Sequence, residues 1–96
     1  MVLPGFEWDD SKNEINFRKH GIDFETAALA FKDAFELDLP ETSMDYGEMR
    51  SKLIGMTAIG LLTVIYTERG HLIRIISARR SSRREHDNYH SENSQK

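Results

Sequence analysis

Between Arg69 and Arg84 the chain carries six arginines and no acidic residue. Arg79, Arg80, Arg83 and Arg84 fall so close together that they repel one another unless an anion lies against them. A guanidinium keeps its charge at any relevant pH, and its planar fork matches two oxygens of a phosphate. At about 4 Å and an effective dielectric near 20, one such contact has about 4 kcal/mol of raw attraction before desolvation. The alternative for these four is a solvated basic start to a helix. Alternation along a strand over His71–Arg79 puts Leu72, Arg74, Ile76, Ala78 and Arg80 on one face. Ile73, Ile75, Ser77 and Arg79 take the other. Both faces are mostly apolar, so this strand is predicted to be central, where an unpaired charge is costly. Arg74 therefore pairs with Glu48 or Glu68, or it faces an open anion site. Arg50 and Lys52 share a face of their own strand and would extend such a site.

Histidines offer proton transfer near neutral pH. His20 stands in Lys19-His20-Gly21, either as a cation favoured at a helix C-terminus or as a proton carrier. His86 and His90 have i, i+4 spacing, but no third ligand is evident and no metal site is assigned. His71, beside Gly70, reads as a turn residue.

The elements that must position these groups follow from local signals. Phe6-Glu7-Trp8 is a short extended piece. Asp9, Asp10 and Ser11 offer helix caps, Ser11 with Glu14 makes a capping-box pattern, and Gly21 ends the helix after His20. Its apolar stripe is only Ile15 and Phe17. Asp23 caps a second helix, with Phe24, Ala27, Ala28 and Phe31 on one face and Ile22 as a staple. Phe35–Leu39 alternates apolar and acidic residues, a strand with one wet face. A polar loop spans Pro40–Gly47. Strands are predicted over Glu48–Thr57, Leu61–Glu68 and His71–Arg79, with turns at Ala58-Ile59-Gly60 and Arg69-Gly70. Ser82-Arg83-Arg84-Glu85 is a second capping box, opening a short helix to about Tyr89. The expected architecture is α+β: an antiparallel meander sheet of four to five strands, two N-terminal helices on one face, and a short C-terminal helix.

Ninety-six residues suit one domain, taken as 1–90 with a polar tail at 91–96. An apolar share of 39% supports a core. There is no cysteine, hence no disulfide or thiolate chemistry, which fits a reducing cytoplasm. No signal peptide is visible, and the uncharged stretch Leu53–Thr67 is too short to span a bilayer. The net charge of −3 hides an asymmetry. Residues 1–48 hold 12 acids and 4 bases, and residues 49–96 hold 4 acids and 9 bases. That balance argues against indiscriminate DNA coating and for a local anion site.

Several segments together resemble the BrnT toxins of type II toxin–antitoxin systems. They are Phe6-Glu7-Trp8-Asp9, Asn16 through Lys19-His20-Gly21, Phe24-Glu25, Gly47-Glu48 with Arg50, Tyr66 through Gly70, and Ile73 through Arg80. The resemblance runs from Phe6 to about Tyr89. Ser51 stands where a bulkier residue is usual, and Ser81-Ser82 replaces an Ala-Thr pair. The family implies a RelE-like ribonuclease fold, cleavage of RNA and arrest of translation in the cytoplasm. It also implies a BrnA-like antitoxin with a ribbon-helix-helix part, a heterotetramer of the two proteins, and DNA contact only through that antitoxin. No cofactor and no membrane are implied.

Metal-free RNA cleavage needs a base for the 2′-hydroxyl, a cation for the phosphorane and an acid for the 5′-oxygen. On this reading Arg74, Arg79 and Arg80 stabilise the phosphate, with Arg50 assisting. Lys19 or His20 moves the proton, with Glu48 as the alternative base. Lys52, Arg83 and Arg84 bind the RNA backbone. Trp8 is either a base-stacking platform or a core residue. A different class of function is a binding module that docks RNA or an acidic antitoxin segment without cutting.

Overall fold

The computed structural model describes residues 3–41 and 49–94. The elements are β1 (Phe6–Glu7), α1 (Asp10–His20), α2 (Phe24–Leu29) with a 3₁₀ turn at Ala30–Lys32, β2 (Leu37–Pro40), β3 (Ser51–Thr57), β4 (Gly60–Arg69), β5 (Leu72–Arg80) and α3 (Arg83–Ser94). The expected start of β3 at Glu48, and most of the expected Pro40–Gly47 loop, lie outside the described residues.

The α+β architecture is as expected, with one correction to the sheet. Its order is β1-β5-β4-β3-β2. β2 to β5 form the antiparallel meander, but β1 pairs parallel to β5, so the sheet is mixed. Short turns dictate antiparallel pairing only between neighbours in sequence. β1 reaches the remaining edge of β5 from the other end of the chain, and Gly5 O accepts from Ile73 N at 2.9 Å to begin that pairing.

α1 follows β1 along the same edge of β5, and it docks by hydrogen bonds, in keeping with its weak apolar stripe. Ile15 and Phe17 are 61% and 54% exposed, whereas Asn16 is buried. The Asn16 amide donates to Ala78 O at 2.8 Å and to Ile22 O at 2.9 Å, and its oxygen accepts from Ala78 N at 3.1 Å. One side chain thus satisfies the edge of β5 as a neighbouring strand would. Asp9, rather than Ser11, caps α1, accepting from Ser11 N at 2.8 Å and Lys12 N at 3.2 Å. Glu14 pairs instead with Arg18 on the surface. Asp23 caps α2 through Thr26 N at 2.7 Å, and Gly21 takes the left-handed conformation at φ 73°.

The main core lies between α2 and the sheet. Phe24, Ala27 and Ala28 pack with Ile22, Leu53, Leu62, Val64, Tyr66, Ile75 and Ala78, and Phe31 closes one side. Gly55 is required by close approach: a Cβ there would meet Ala30 O at 2.3 Å.

α3 covers one end of the opposite sheet face. Tyr89 packs with Ile54, Leu61 and Leu37. Its hydroxyl donates to Asp33 Oδ2 at 2.6 Å, while Asp33 also accepts from Met56 N and Phe35 N. Burial and the Asp33 bond push the Tyr89 hydroxyl up to about 12. The helix continues to Ser94, past the expected end near Tyr89, because Asn93 donates to Phe35 O at 3.1 Å and Tyr89 O at 2.8 Å. Among the described residues, no helix is long and apolar enough to cross a membrane.

Candidate active site on the open sheet face

The face away from α1 and α2 is set by a bulge. β4 and β5 pair Ile65 with Ser77 but Tyr66 with Ile75, leaving Ile76 as an extra residue on β5. The bulge reverses the phase of alternation. Arg74 (opposite Thr67), Ser77 (opposite Ile65) and Arg79 (opposite Thr63) therefore share the open face. Ala78 and Arg80 turn to the other face, opposite Val64 and Leu62. This corrects the sequence expectation that Arg74 and Arg80 lie together. In β3, Lys52 pairs with Ile65 and belongs to the open face. Arg50, half-buried just before β3, falls on the same face by alternation, as does Glu41, whose backbone N donates to Arg50 O at 3.0 Å.

At the edge nearest β1, Glu7 stands beside Arg74. Its carboxylate lies 3.6 Å from Arg74 Nη1 and 3.8 Å from Arg69 Nε. The partner of Arg74 is thus Glu7, across the parallel pair. Glu68 pairs with Ile73 and faces the other way, and Glu48 lies outside the described residues.

Toward α3, Arg79 forks onto Glu85: Nη1 donates to Oε1 at 2.6 Å and Nη2 to Oε2 at 2.9 Å. Glu85, only 5% exposed, also accepts from Ser82 N at 2.7 Å and Thr63 Oγ1 at 3.0 Å, and Lys52 Nζ is 3.4 Å away. Ser82 Oγ in turn accepts from Glu85 N at 3.2 Å, completing the predicted capping box. Burial pushes the Glu85 carboxyl up, but the Arg79 and Ser82 hydrogen bonds outweigh it and hold the group well below the usual carboxylate range. The Glu85 bond raises the Arg79 guanidinium against the opposing effect of burial, and the Glu41 charge adds to it.

The remaining sequence candidates stand elsewhere. Arg80 is exposed on the other face and donates to Ile59 O at 2.7 Å. Trp8 is 6% exposed and packs edge-on to Phe24 at 6.1 Å, so it is a core residue and offers no surface for stacking a base. Lys19 and His20 end α1, and among the described residues neither side chain bonds to the sheet arginines. Arg83 and Arg84 are exposed on the first turn of α3. The His86 and His90 rings stack 6.2 Å apart, and among the described residues no third ligand joins them.

Sequence reasoning missed Glu7 and Glu85 as members of the site. The signals were present: Glu7 alternates with apolar Phe6 and Trp8, and Glu85 closes the capping box that begins beside Arg79 and Arg80.

A small α+β domain thus carries Arg74, Arg79 and Lys52 on one open sheet face, with α3 covering one end of it. The chain matches the model of the BrnT ribonuclease toxins of type II toxin–antitoxin systems over residues 8–85, and it belongs to that family. No curated protein matches it.

Proposed function

We propose that this toxin cleaves RNA on the open sheet face without a metal ion, and that translation stops as a result. Arg74 is the central phosphate ligand, with Arg50 and Lys52 beside it on β3 and Arg69 at the end of β4. Arg79 braces that surface through Glu85 and presents its remaining N–H groups to the RNA backbone. Arg83 and Arg84 extend the basic track. The observation that carries this reading is the bulge at Ile76, which turns Arg74, Ser77 and Arg79 to the same face as Lys52. Fixed guanidiniums supply the charge that a pentacoordinate phosphorane needs, and removing one such donor typically costs about a hundredfold or more in turnover.

The toxin acts in the cytoplasm and is neutralised by a BrnA-like antitoxin with a ribbon-helix-helix part, in a heterotetramer that touches DNA only through the antitoxin. Lys19 and His20, at the end of the helix that runs along the sheet edge, are the alternative candidates for proton transfer.

A second reading is favoured by one observation: the fork of Arg79 is already filled by Glu85. On that reading the basic surface binds RNA or an acidic antitoxin segment and does not cut. Purified toxin with end-labelled RNA and a chelator separates the two. Cleavage that persists with chelator and is lost in Arg74→Ala supports the ribonuclease. Intact RNA that only shifts in a gel supports the binding module.

A further inference from the structure

We propose that Glu7 is the general base of the cleavage reaction, an inference that rests on the ribonuclease reading above. RNA cleavage by its own 2′-hydroxyl needs a proton acceptor beside a cation that holds the adjacent phosphate, because the attacking oxygen and the phosphorus belong to the same nucleotide. The described carboxylates that act on the basic side chains of the open face include Glu7, Glu41 and Glu85.

Glu85 is unsuited. It is buried and accepts from Arg79, Ser82 and Thr63, so its lone pairs are committed. Glu41 lies toward the opposite edge of the sheet, at the end of β2, and its charge acts on Arg79. Glu7 differs from both. Its side chain is 23% exposed, and no hydrogen bond is made to it among the described residues. Arg74 and Arg69 lie 3.6 and 3.8 Å away, close enough to hold its orientation but beyond hydrogen-bond distance. A phosphate bridging onto Arg74 would therefore bring the neighbouring 2′-hydroxyl to an oxygen that is free to accept a proton. β1 fixes the placement, since Glu7 pairs in register with Arg74 while Phe6 is anchored in the core.

The step balances as follows. The Glu7 carboxylate takes the 2′-hydroxyl proton as the 2′-oxygen bonds to phosphorus. The bond from phosphorus to the 5′-oxygen breaks, and that oxygen takes a proton from water at the open face. The products are a 2′,3′-cyclic phosphate and a 5′-hydroxyl, and Glu7 returns its proton to solvent. Charged groups facing Glu7 are Arg74 from β5 and Arg69 from β4. Asp9, at the start of α1, acts on Arg74, and Arg50, Lys52, Arg79, Glu41 and Glu85 share the sheet face.

The test is the pH–rate profile of RNA cleavage by the full chain. Glu7→Gln keeps the shape of the side chain and removes the base, and a loss of about a hundredfold or more is expected. The wild type should lose activity as pH falls, and Glu7→Gln should lack that limb. Glu7→Asp, which retracts the carboxylate by one methylene, should be at least tenfold slower and keep the limb. This second variant decides the matter if Glu7→Gln does not fold. Unchanged cleavage in a folded Glu7→Gln, unchanged cleavage in Glu7→Asp, or loss of the limb in Glu41→Gln instead would overturn the assignment. Wild-type protein that binds RNA without cutting it would overturn the ribonuclease reading itself, a separate outcome.

Discussion

Replacing Glu85 with alanine should destabilise the fold strongly. The side chain accepts the Arg79 fork at 2.6 and 2.9 Å, the Ser82 N–H at 2.7 Å and the Thr63 hydroxyl at 3.0 Å. Removing one member of a buried pair costs about 3–5 kcal/mol when the other charge stays buried. Here the Arg79 side chain is 42% exposed and can regain water, so the pair alone should account for about 2 kcal/mol. Loss of the capping box adds about 1 kcal/mol. A total near 3 kcal/mol corresponds to a fall in Tm of about 15 °C for a domain of this size. The sign of the pH dependence follows from the depressed carboxyl. Above the ordinary carboxylate range both folded and unfolded Glu85 are ionised, and the full contribution is present. As pH falls below that range the unfolded chain takes up a proton that the folded chain does not, and the contribution is lost. Urea denaturation of wild type and Glu85→Ala should therefore show a gap near pH 7 that narrows toward pH 2. A gap under about 0.5 kcal/mol at pH 7, or one that widens on acidification, would refute the reasoning.

Three further outcomes are expected. Asn16→Ala leaves the edge groups of Ala78 unpaired and should cost about 2–3 kcal/mol, with faster hydrogen exchange at the Ala78 amide. Gly55→Ala must push the Ala30 carbonyl away and should cost about 1–3 kcal/mol by chemical denaturation. Trp8→Ala should cost about 3–5 kcal/mol as a core cavity, while RNA affinity of the folded fraction, read by gel shift, stays at the wild-type level.

Much of the fold was legible where a residue type admits one conformation. Asp23 before Phe24 and the Ser82–Glu85 box announced two helix starts, and Gly21 and Gly70 announced an end and a turn. β1 was legible as extended chain but not in its pairing, because a two-residue strand carries no register information. The first helix was legible from its caps, with only a weak stripe at Ile15 and Phe17, yet a hydrogen-bonding Asn16 decides its docking, and a polar residue gives no periodic signal. The clustering of arginines was visible, but their division between faces was not. A single extra residue at Ile76 flips every side chain beyond it, and nothing in Ile75-Ile76-Ser77 marks where the bulge falls. The same reversal explains why Arg80 was grouped with Arg74 and why Arg79 was not.

That division also gives the most direct test of the central claim, that the open sheet face is where RNA is cleaved. Cleavage of one labelled RNA should be timed for Arg74→Ala and Lys52→Ala on that face, and for Arg80→Ala on the other, each checked for an intact fold by circular dichroism. The account predicts about a hundredfold loss for Arg74→Ala, a smaller loss for Lys52→Ala and nearly wild-type turnover for Arg80→Ala. Full activity in Arg74→Ala together with collapse in Arg80→Ala would place the chemistry on the opposite face and contradict it.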